Sequence, residues 1–201
     1  MENPALTDHP IHELLVRRFS PRAFGPESVS TEQLLSLLEA ARWSPSCANE
    51  QPWSYVVARR EDTEAFARLL SCLVEKNQVW AKHAAVLMIS VARTHFVKGE
   101  KVNQHAWYDV GQATALLTVE ATAVGLRVHQ MAGFDAAKAR EVLRIPAGHE
   151  AVAAIALGHP GDPETLPEDL KQRELAPRQR KPLSDFAFGG AWGESVPSEE
   201  K

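Results

Sequence analysis

The sequence predicts an α+β fold, because segments typical of helices and segments typical of strands both occur along its 201 residues. Two continuous apolar runs, Ala84 to Ala92 and Ala151 to Leu157, predict buried strands. A long helix is predicted between them, from Ala106 to Val124, and it is apolar on most of its faces. Such a helix must lie in a core or at a subunit interface.

The other predicted elements follow from capping residues and from helix-breaking residues. Ser30 is a good helix N-cap, and Gln33 stands three residues later, as in a capping box. The elements predicted in this way are a helix from Ser30 to Arg42, a strand from Trp53 to Ala58, a helix from Glu61 to Leu73, a short strand from Arg127 to Met131, and a helix that Asp135 caps and that ends at Leu143.

Composition indicates a globular protein and argues against several other classes. Hydrophobic residues make up 44% and charged residues 24% of the chain, which are ordinary values. The net charge of −4 argues against nucleic-acid binding, and the apolar stretches are too short to cross a membrane. Two cysteines and an N-terminus without the character of a secretory signal predict a cytoplasmic protein.

The chain changes character after Pro160. Four prolines interrupt residues 161–182, and no apolar periodicity is visible before Phe186. Residues 1–160 are therefore interpreted as the core and residues 161–201 as a C-terminal extension of the same domain. The extension is either disordered or lies along another surface, and Phe186, Phe188 and Trp192 favour the second alternative as anchors.

Arginines are concentrated near the two ends of the chain. Arg18 and Arg22 flank Ser20, and in an extended segment these alternate residues face the same way. Guanidinium groups bind phosphate through paired hydrogen bonds, so these residues, with the basic group around Arg178 and Arg180, can form an anion site. The alternative is that both groups are solvated surface charges.

A polar loop between the first long helix and the first strand is the second candidate for a binding element. It contains Ser46, Asn49 and Gln51 between two stiffening prolines, and it can present these side chains to a polar ligand. Taken alone, the same loop also fits an ordinary turn between a helix and a strand.

Together these motifs resemble the nitroreductase family. The patterns are Arg-x-Ser-x-Arg-x-Phe at residues 18–24 and Pro-Ser-x-x-Asn-x-Gln-Pro-Trp at residues 45–53. Three later segments, residues 131–135, 154–160 and 178–183, resemble family segments in the same order. The resemblance implies a central, mostly antiparallel sheet flanked by helices, in an intertwined homodimer. It also implies that residues 161–201 wrap and pack on the partner subunit.

The resemblance also implies an FMN site. Arg18, Ser20 and Arg22 are expected at the phosphate and ribityl chain, with Arg178 and Arg180 completing the site. The backbone N–H groups of Ala132 and Gly133 are expected to approach flavin N5 and O4. The remaining residues that are expected to contact the cofactor, some of them across the dimer interface, are Phe19, Pro45, Ser46, Cys47, Asn49, Gln51 and Met131.

The implied activity is hydride transfer from NADH or NADPH to FMN and then to a small acceptor such as a nitroaromatic or a quinone. Such an enzyme is expected to show ping-pong kinetics without a separate catalytic acid or base, because the cofactor carries the chemistry. The least family-like segments suggest substrate contacts at Trp80, His95, Phe96, Trp107 and Tyr108, although packing or surface exposure is the better explanation for each of them taken singly.

Three residues depart from the general family pattern, and two rival classes are weighed against it. Phe19 and Ala132 replace residues that are usually different, and Cys47, which stands where Ser or Gly is usual, is interpreted as a packing residue. Arg17 is interpreted as a surface charge.

No metal site is predicted, because the eight histidines show no metal-binding spacing. The alternative function is a cofactor-free or regulatory binding protein that retains the fold.

Overall fold

An antiparallel sheet forms the centre of the computed structural model, which describes residues 2–99 and 101–196. Four strands lie in the order β1-β2-β4-β3, and every neighbouring pair is antiparallel. They are β1 (Trp53–Arg59), β2 (Val86–Arg93), β3 (Arg127–Met131) and β4 (His149–Gly158).

Helices cover both faces of this sheet. They are α1 (Glu13–Arg17), α2 (Thr31–Arg42), α3 (Thr63–Ser71), α4 (Glu75–Ala81), α5 (Ala106–Ala123), α6 (Ala136–Val142) and α7 (Glu168–Leu175). Short 3-10 turns occur at Cys47–Asn49, Pro163–Thr165 and Leu183–Asp185. None of the helices within the described residues is long and apolar enough to cross a membrane.

Alternate side chains of the central strands enter two different hydrophobic layers. Val86 and Met88 pack towards α2 and α5, whereas Leu87 and Ile89 pack towards α3, α4 and α6. Because both faces of β2 are covered, most of its residues are apolar, rather than alternately apolar and polar. This explains the continuous apolar run in the sequence.

The predicted elements are present, and their capping interactions are as expected. Ser30 Oγ accepts a hydrogen bond from the Gln33 N–H at 3.1 Å, and Gln33 Oε1 accepts one from the Ser30 N–H at 3.0 Å. The Asp135 side chain accepts from the Lys138 N–H at 2.9 Å and caps α6. The sequence analysis missed α1 and α4, which have only five and seven residues, and it missed α7.

The first part of the C-terminal extension packs on its own chain. Asn3 Nδ2 donates to the carbonyl oxygens of Glu174 and Ala176 at 3.3 and 3.1 Å. Arg178 Nη1 donates to the carbonyl oxygens of Asn3 and Val16, both at 3.0 Å. These bonds tie residues 174–178 to the N-terminal segment. Packing on a partner stays a prediction for the residues that follow.

A groove at one edge of the sheet and a remote loop

Two segments from opposite ends of the sequence meet in one cavity of about 230 Å³. Residues 18–22 form one side, and residues 173–180 form the other. We call this cavity the arginine cradle. Arg18, Ser20 and Arg22 all line it, together with Phe19, and Arg18 Nη1 donates to Ser20 Oγ at 3.2 Å. The structure therefore brings the two predicted arginine groups together.

Glu174 of α7 holds the two sides of the cradle against each other. Its Oε1 accepts hydrogen bonds from the backbone N–H groups of Arg22 and Ala23 at 2.8 and 3.1 Å. The Glu174 side chain is only 2% exposed, and its Oε2 lies 3.9 Å from Arg22 Nη1. The sequence analysis missed this residue. An acidic residue next to a basic segment is too common a pattern to single it out.

The cradle carries positive charge that its own residues do not balance. Arg18, Arg178 and Arg180 form no ion pair within residues 2–99 and 101–196. Burial lowers the pKa of Arg18, and the charge of Arg180 lowers it further. Burial also lowers the pKa of Arg178, with added repulsion from Arg18 and Arg180. Such a cluster can bind an anion that carries more than one negative charge.

A second cavity, of about 540 Å³, adjoins the cradle, and Arg22 and Arg173 line both. We call the two cavities together the groove. The predicted residues Met131, Ala132 and Gly133 lie along this second cavity. The other residues that line it are Lys76, Asn77, Trp80, His129, Gln130, Asp169 and Leu170. Of these, the sequence analysis named only Trp80.

The backbone of residues 131–134 is held rigidly beside the groove. The Gly133 carbonyl oxygen accepts hydrogen bonds from the Val74 N–H at 3.1 Å and from Asn77 Nδ2 at 3.0 Å. A Cβ atom on Gly133 would stand 2.5 Å from Asn77 Nδ2, so a larger residue here would displace the Asn77 side chain from its hydrogen bond. The segment therefore presents a fixed backbone surface to a ligand.

Trp80 and His129 form the floor of the groove. Trp80 is only 1% exposed, and its ring centroid lies 4.6 Å from that of His129. His129 Nδ1 lies 2.9 Å from the Pro21 carbonyl oxygen, so this nitrogen carries the hydrogen. Burial is the main cause that lowers the pKa of His129 to about 4, and the charge of Arg22 acts in the same direction. His129 is thus a neutral link between β3 and the cradle.

The predicted binding loop, residues 46–51, has a well-defined shape of its own. Ser46 Oγ accepts a hydrogen bond from the Gln51 N–H at 3.0 Å, and Gln51 Nε2 donates to the Asn49 carbonyl oxygen at 3.1 Å. The Cys47 N–H donates to Asp109 Oδ2 at 3.1 Å. Asn49 and Gln51 are exposed beside a cavity of about 230 Å³, and the neighbouring Pro45 is exposed as well.

This loop is remote from the groove of the same chain. Its cavity shares no lining residue with either cavity of the groove. The loop is bonded to Asp109 in the first turn of α5, whereas Gln130 beside the groove donates to Thr118 Oγ1 at 3.3 Å. These two positions on α5 are nine residues apart, or about 13 Å along the helix axis. One chain therefore does not bring all the predicted site residues together.

The other predicted substrate contacts lie outside the groove. His95 and Phe96 line a cavity of about 390 Å³ with Arg93 and His149. At the start of α5, Trp107 is half-exposed, with its Nε1 donating to Glu150 Oε2 at 3.0 Å, and Tyr108 is exposed. Of the predicted substrate residues, only Trp80 lines the groove, as part of its floor.

The fold matches that of known proteins. Residues 15–159 match the model of the Nitroreductase family, and the chain belongs to this family. A solved structure described as an oxidoreductase containing FMN superposes with a TM-score of 0.91 and is 36% identical. That superposition covers 97% of this chain and 99% of the other. The antiparallel sheet flanked by helices that the resemblance implied is confirmed.

Two further matches are more limited in what they show. An uncharacterised 15.4 kDa protein of Mycolicibacterium smegmatis is 38% identical over 130 residues, which is 65% of this chain and 86% of that protein. A nitroreductase family protein from Clostridium difficile is 21% identical with a TM-score of 0.69. The superposition covers 89% of this chain and 96% of the other chain. It shows only that the two proteins share a fold.

Proposed function

We propose that the protein is an FMN-dependent oxidoreductase that takes hydride from NADH or NADPH and passes it to a small acceptor such as a nitroaromatic or a quinone. The observation that carries the proposal is the unbalanced arginine cradle at one end of the groove. A rigid backbone segment, residues 131–133, lines the other part of the same groove. A phosphate ester with a flat ring system fits these two features together.

The cradle fits the phosphate end of the cofactor. Arg18, Arg178 and Arg180 repel one another, and a dianion bound between them removes that repulsion. Guanidinium groups bind phosphate oxygens in pairs, and Ser20 adds a hydroxyl donor. Arg22 lies where the two cavities meet, so it can bind either the phosphate or the ribityl chain.

The second cavity fits the ring end. Its volume of about 540 Å³ is within the ordinary range for ligand sites, about 300–1,000 Å³. In our proposal the backbone N–H groups of Ala132 and Gly133 face N5 and O4 of the ring, and Met131 contacts it. Lys76 and Arg173 favour negative charge within the groove by Coulomb attraction. When bound, FMN supplies the redox chemistry.

We also propose a homodimer, since α5 leaves an apolar face uncovered. Trp107, Gly111 and Ala115 recur every four residues, with Tyr108 and Leu116 beside them, and all five are exposed. They therefore form one stripe along the helix. Packing this stripe against its copy buries it without any change in the chain.

The same packing explains the position of the remote loop. If two α5 helices cross in antiparallel fashion midway between Gly111 and Ala115, residue 109 of one helix lies level with residue 117 of the other. Gln130, beside the groove, contacts α5 at Thr118. The loop of one chain thus comes next to the groove of its partner. There Pro45, Ser46, Cys47, Asn49 and Gln51 can contact the cofactor, as the family resemblance implies.

The last part of the extension fits this dimer as well. Phe186 is 63% exposed and Trp192 is 91% exposed, although both are large apolar side chains. The rings of Phe188 and Trp192 pack against each other with centroids 4.8 Å apart and planes tilted by 44°, so the segment has a shape of its own. We propose that residues 183–196 lie on the partner subunit, which covers these aromatic side chains.

Spectroscopy and steady-state kinetics test the proposed function. The purified full-length protein is expected to show flavin absorbance, or to gain it when FMN is added to the apoprotein. Initial rates with NADH and NADPH against panels of quinones and nitroaromatics are expected to give parallel double-reciprocal plots. Protein that is colourless and does not take up added FMN would contradict the proposal and support the cofactor-free alternative.

A further inference from the structure

The remote loop holds a backbone conformation that its sequence disfavours. Ala48, Asn49 and Gln51 have φ angles of 52°, 54° and 48°. This left-handed region brings the Cβ atom close to the backbone, and asparagine tolerates it better than alanine or glutamine does. Three such residues within four positions persist only if the surrounding structure holds them.

Asp109 holds one end of the loop. Its side-chain Oδ2 accepts the Cys47 N–H at 3.1 Å, across a separation of 62 residues in sequence. Asp109 is only 2% exposed, and it forms no ion pair within the described part of the chain. A buried carboxyl group without a cationic partner is costly, and here the loop N–H and the positive end of α5 offset that cost.

A second carboxylate holds the other end of the loop. Glu50 Oε2 accepts hydrogen bonds from Arg93 Nη2 at 2.7 Å and from the Val97 N–H at 2.9 Å. Arg93 Nη2 also donates to the Glu50 carbonyl oxygen at 2.8 Å. Ala48 and Asn49 therefore lie between two fixed points, one bonded to α5 and the other to the end of β2.

We propose that Asp109 is a positioning residue, whose hydrogen bond to Cys47 holds the loop in its left-handed conformation. In that conformation Asn49 and Gln51 remain exposed and oriented towards the cofactor of the partner subunit. The inference rests on the proposed function, but it adds a residue that lines no cavity of the groove. Asp109 acts only through the loop.

The position of Asp109 predicts which contacts with the cofactor become weaker when the Asp109 side chain is removed. In our proposal the cradle contacts the phosphate, whereas the loop of the partner contacts the ring and ribityl chain. Within the described residues no hydrogen bond joins the cradle to the loop of its own chain. Releasing the loop therefore weakens contacts with the ring and ribityl chain and leaves the phosphate contacts intact. Affinities for FMN and for riboflavin, which lacks the phosphate, are expected to fall by the same factor.

The experiment compares Asp109→Ala, Asp109→Asn and a matched control in the full-length protein. Glu120→Ala is the control, because Glu120 is a partly buried carboxylate on the same helix that accepts from Ser36 Oγ at 2.9 Å. Dissociation constants for FMN and riboflavin come from fluorescence titration of each apoprotein. Visible circular dichroism of the bound flavin reports the surroundings of the ring.

Asp109→Ala is expected to weaken both affinities by about tenfold, the effect of losing a hydrogen bond to a charged group, and to change the flavin circular dichroism. Asp109→Asn is expected to keep most of the affinity for both FMN and riboflavin, since the asparagine amide oxygen can still accept the Cys47 N–H. Glu120→Ala is expected to keep wild-type values. If Asp109→Ala does not fold, Glu50→Gln, which weakens the second anchor, is expected to change the same circular dichroism.

The results separate this inference from the proposed function. Wild-type protein that binds no FMN contradicts the proposed function itself. Wild-type protein that binds FMN, with Asp109→Ala matching it in affinity and circular dichroism, overturns only the role of Asp109. A loss in Glu120→Ala equal to that in Asp109→Ala also overturns it, because the effect would then belong to α5 as a whole.

Discussion

The arginine cradle and the remote loop are two halves of one proposed site, and they are built in opposite ways. The cradle joins residues 18–22 to residues 173–180, from the two ends of the sequence, within a single chain. The loop consists of consecutive residues, 46–51, and lies away from the groove of its own chain. The cradle is therefore assembled within one chain, whereas in our proposal the loop contributes to the site of the partner subunit.

The free-energy costs of the two regions also differ. In the cradle the cost is electrostatic, because several guanidinium groups, some of them partly buried, repel one another, while Glu174 lies beside Arg22. In the loop the cost is conformational, and hydrogen bonds to Asp109 and Glu50 offset it. The cradle is therefore expected to be stabilised by its ligand, whereas the loop holds its shape without one.

The largest effect is expected when charge is removed from the cradle. Arg18→Ala combined with Arg180→Ala removes two sets of charge-assisted hydrogen bonds, each worth about 1.5–3 kcal/mol. The dissociation constant for FMN should rise by about 10²–10⁴-fold. Fluorescence titration measures this change. Arg68→Ala, which removes an exposed arginine paired with Glu64 on α3, is the control and should bind FMN normally. Unchanged affinity in the double variant would contradict the role of the cradle.

A leucine at Gly111 tests whether the loop reaches a groove through dimer formation. A Cβ atom at this position meets no atom within 4 Å in one chain, so the folded chain accepts a larger side chain. Between two packed helices the added volume costs about 1–3 kcal/mol for each subunit. Sedimentation equilibrium should show a weaker dimer, together with a loss of bound flavin.

Ala67→Leu is the control for this substitution, because Ala67 is a small exposed residue on α3, away from the apolar stripe. It should leave the oligomeric state unchanged. A Gly111→Leu protein that remains a fully flavin-loaded dimer would show that α5 is not the interface.

The sequence predicted the cradle better than it predicted the loop, and the reason is physical. Arginines that alternate with a serine predict an anion site, because an extended segment turns their side chains the same way and guanidinium groups bind phosphate. The buried bond between Cys47 and Asp109 joins residues 62 positions apart, and nothing in either local pattern pairs them. The same limit applies to Glu174, whose importance depends on tertiary contacts with Arg22 and Ala23.

Secondary structure shows a similar division. Long elements with clear caps, such as α2 and α6, were predicted to within a few residues. The helix α7 was missed because prolines surround it and its buried residue is a glutamate rather than an apolar residue. Short helices such as α4 depend on tertiary packing, here the burial of Trp80, more than on local propensity.

The pH dependence of stability tests the link between the groove floor and the cradle. The pKa of His129 is lowered to about 4 in the folded protein, from an ordinary value near 6.5. The unfolded state therefore binds more protons between these values, and the folded state loses stability as the pH falls. His129 should contribute a loss of about 3 kcal/mol between pH 6.5 and pH 4.

Chemical denaturation at several pH values measures this loss. The His129→Gln variant should lack that part of the pH dependence, whereas His9→Gln, at an exposed position, should retain it. Identical pH profiles for the wild type and His129→Gln would show that His129 is not held neutral by the fold.

Truncation after residue 182 has the smallest expected effect. It keeps Arg178 and Arg180 in the cradle but removes Phe186 and Trp192, which are exposed in the single chain. Covering even one such aromatic side chain in the dimer contributes about 2 kcal/mol. The dimer dissociation constant should therefore rise by at least about 30-fold, while the truncated monomer unfolds at the same denaturant concentration. A truncated protein with unchanged dimer affinity would show that residues 183–196 do not pack on the partner subunit.

Complementation between two defective chains tests most directly whether each site combines the cradle of one chain with the loop of another. One chain carries Arg18→Ala and Arg180→Ala, and the other carries Asn49→Ala and Gln51→Ala. Heterodimers are isolated by two affinity tags, and their flavin content is measured by absorbance. The shared site predicts one intact site in each heterodimer, hence half of the wild-type flavin content, while each parent homodimer binds poorly. Heterodimers that bind no more FMN than their parents would contradict the account.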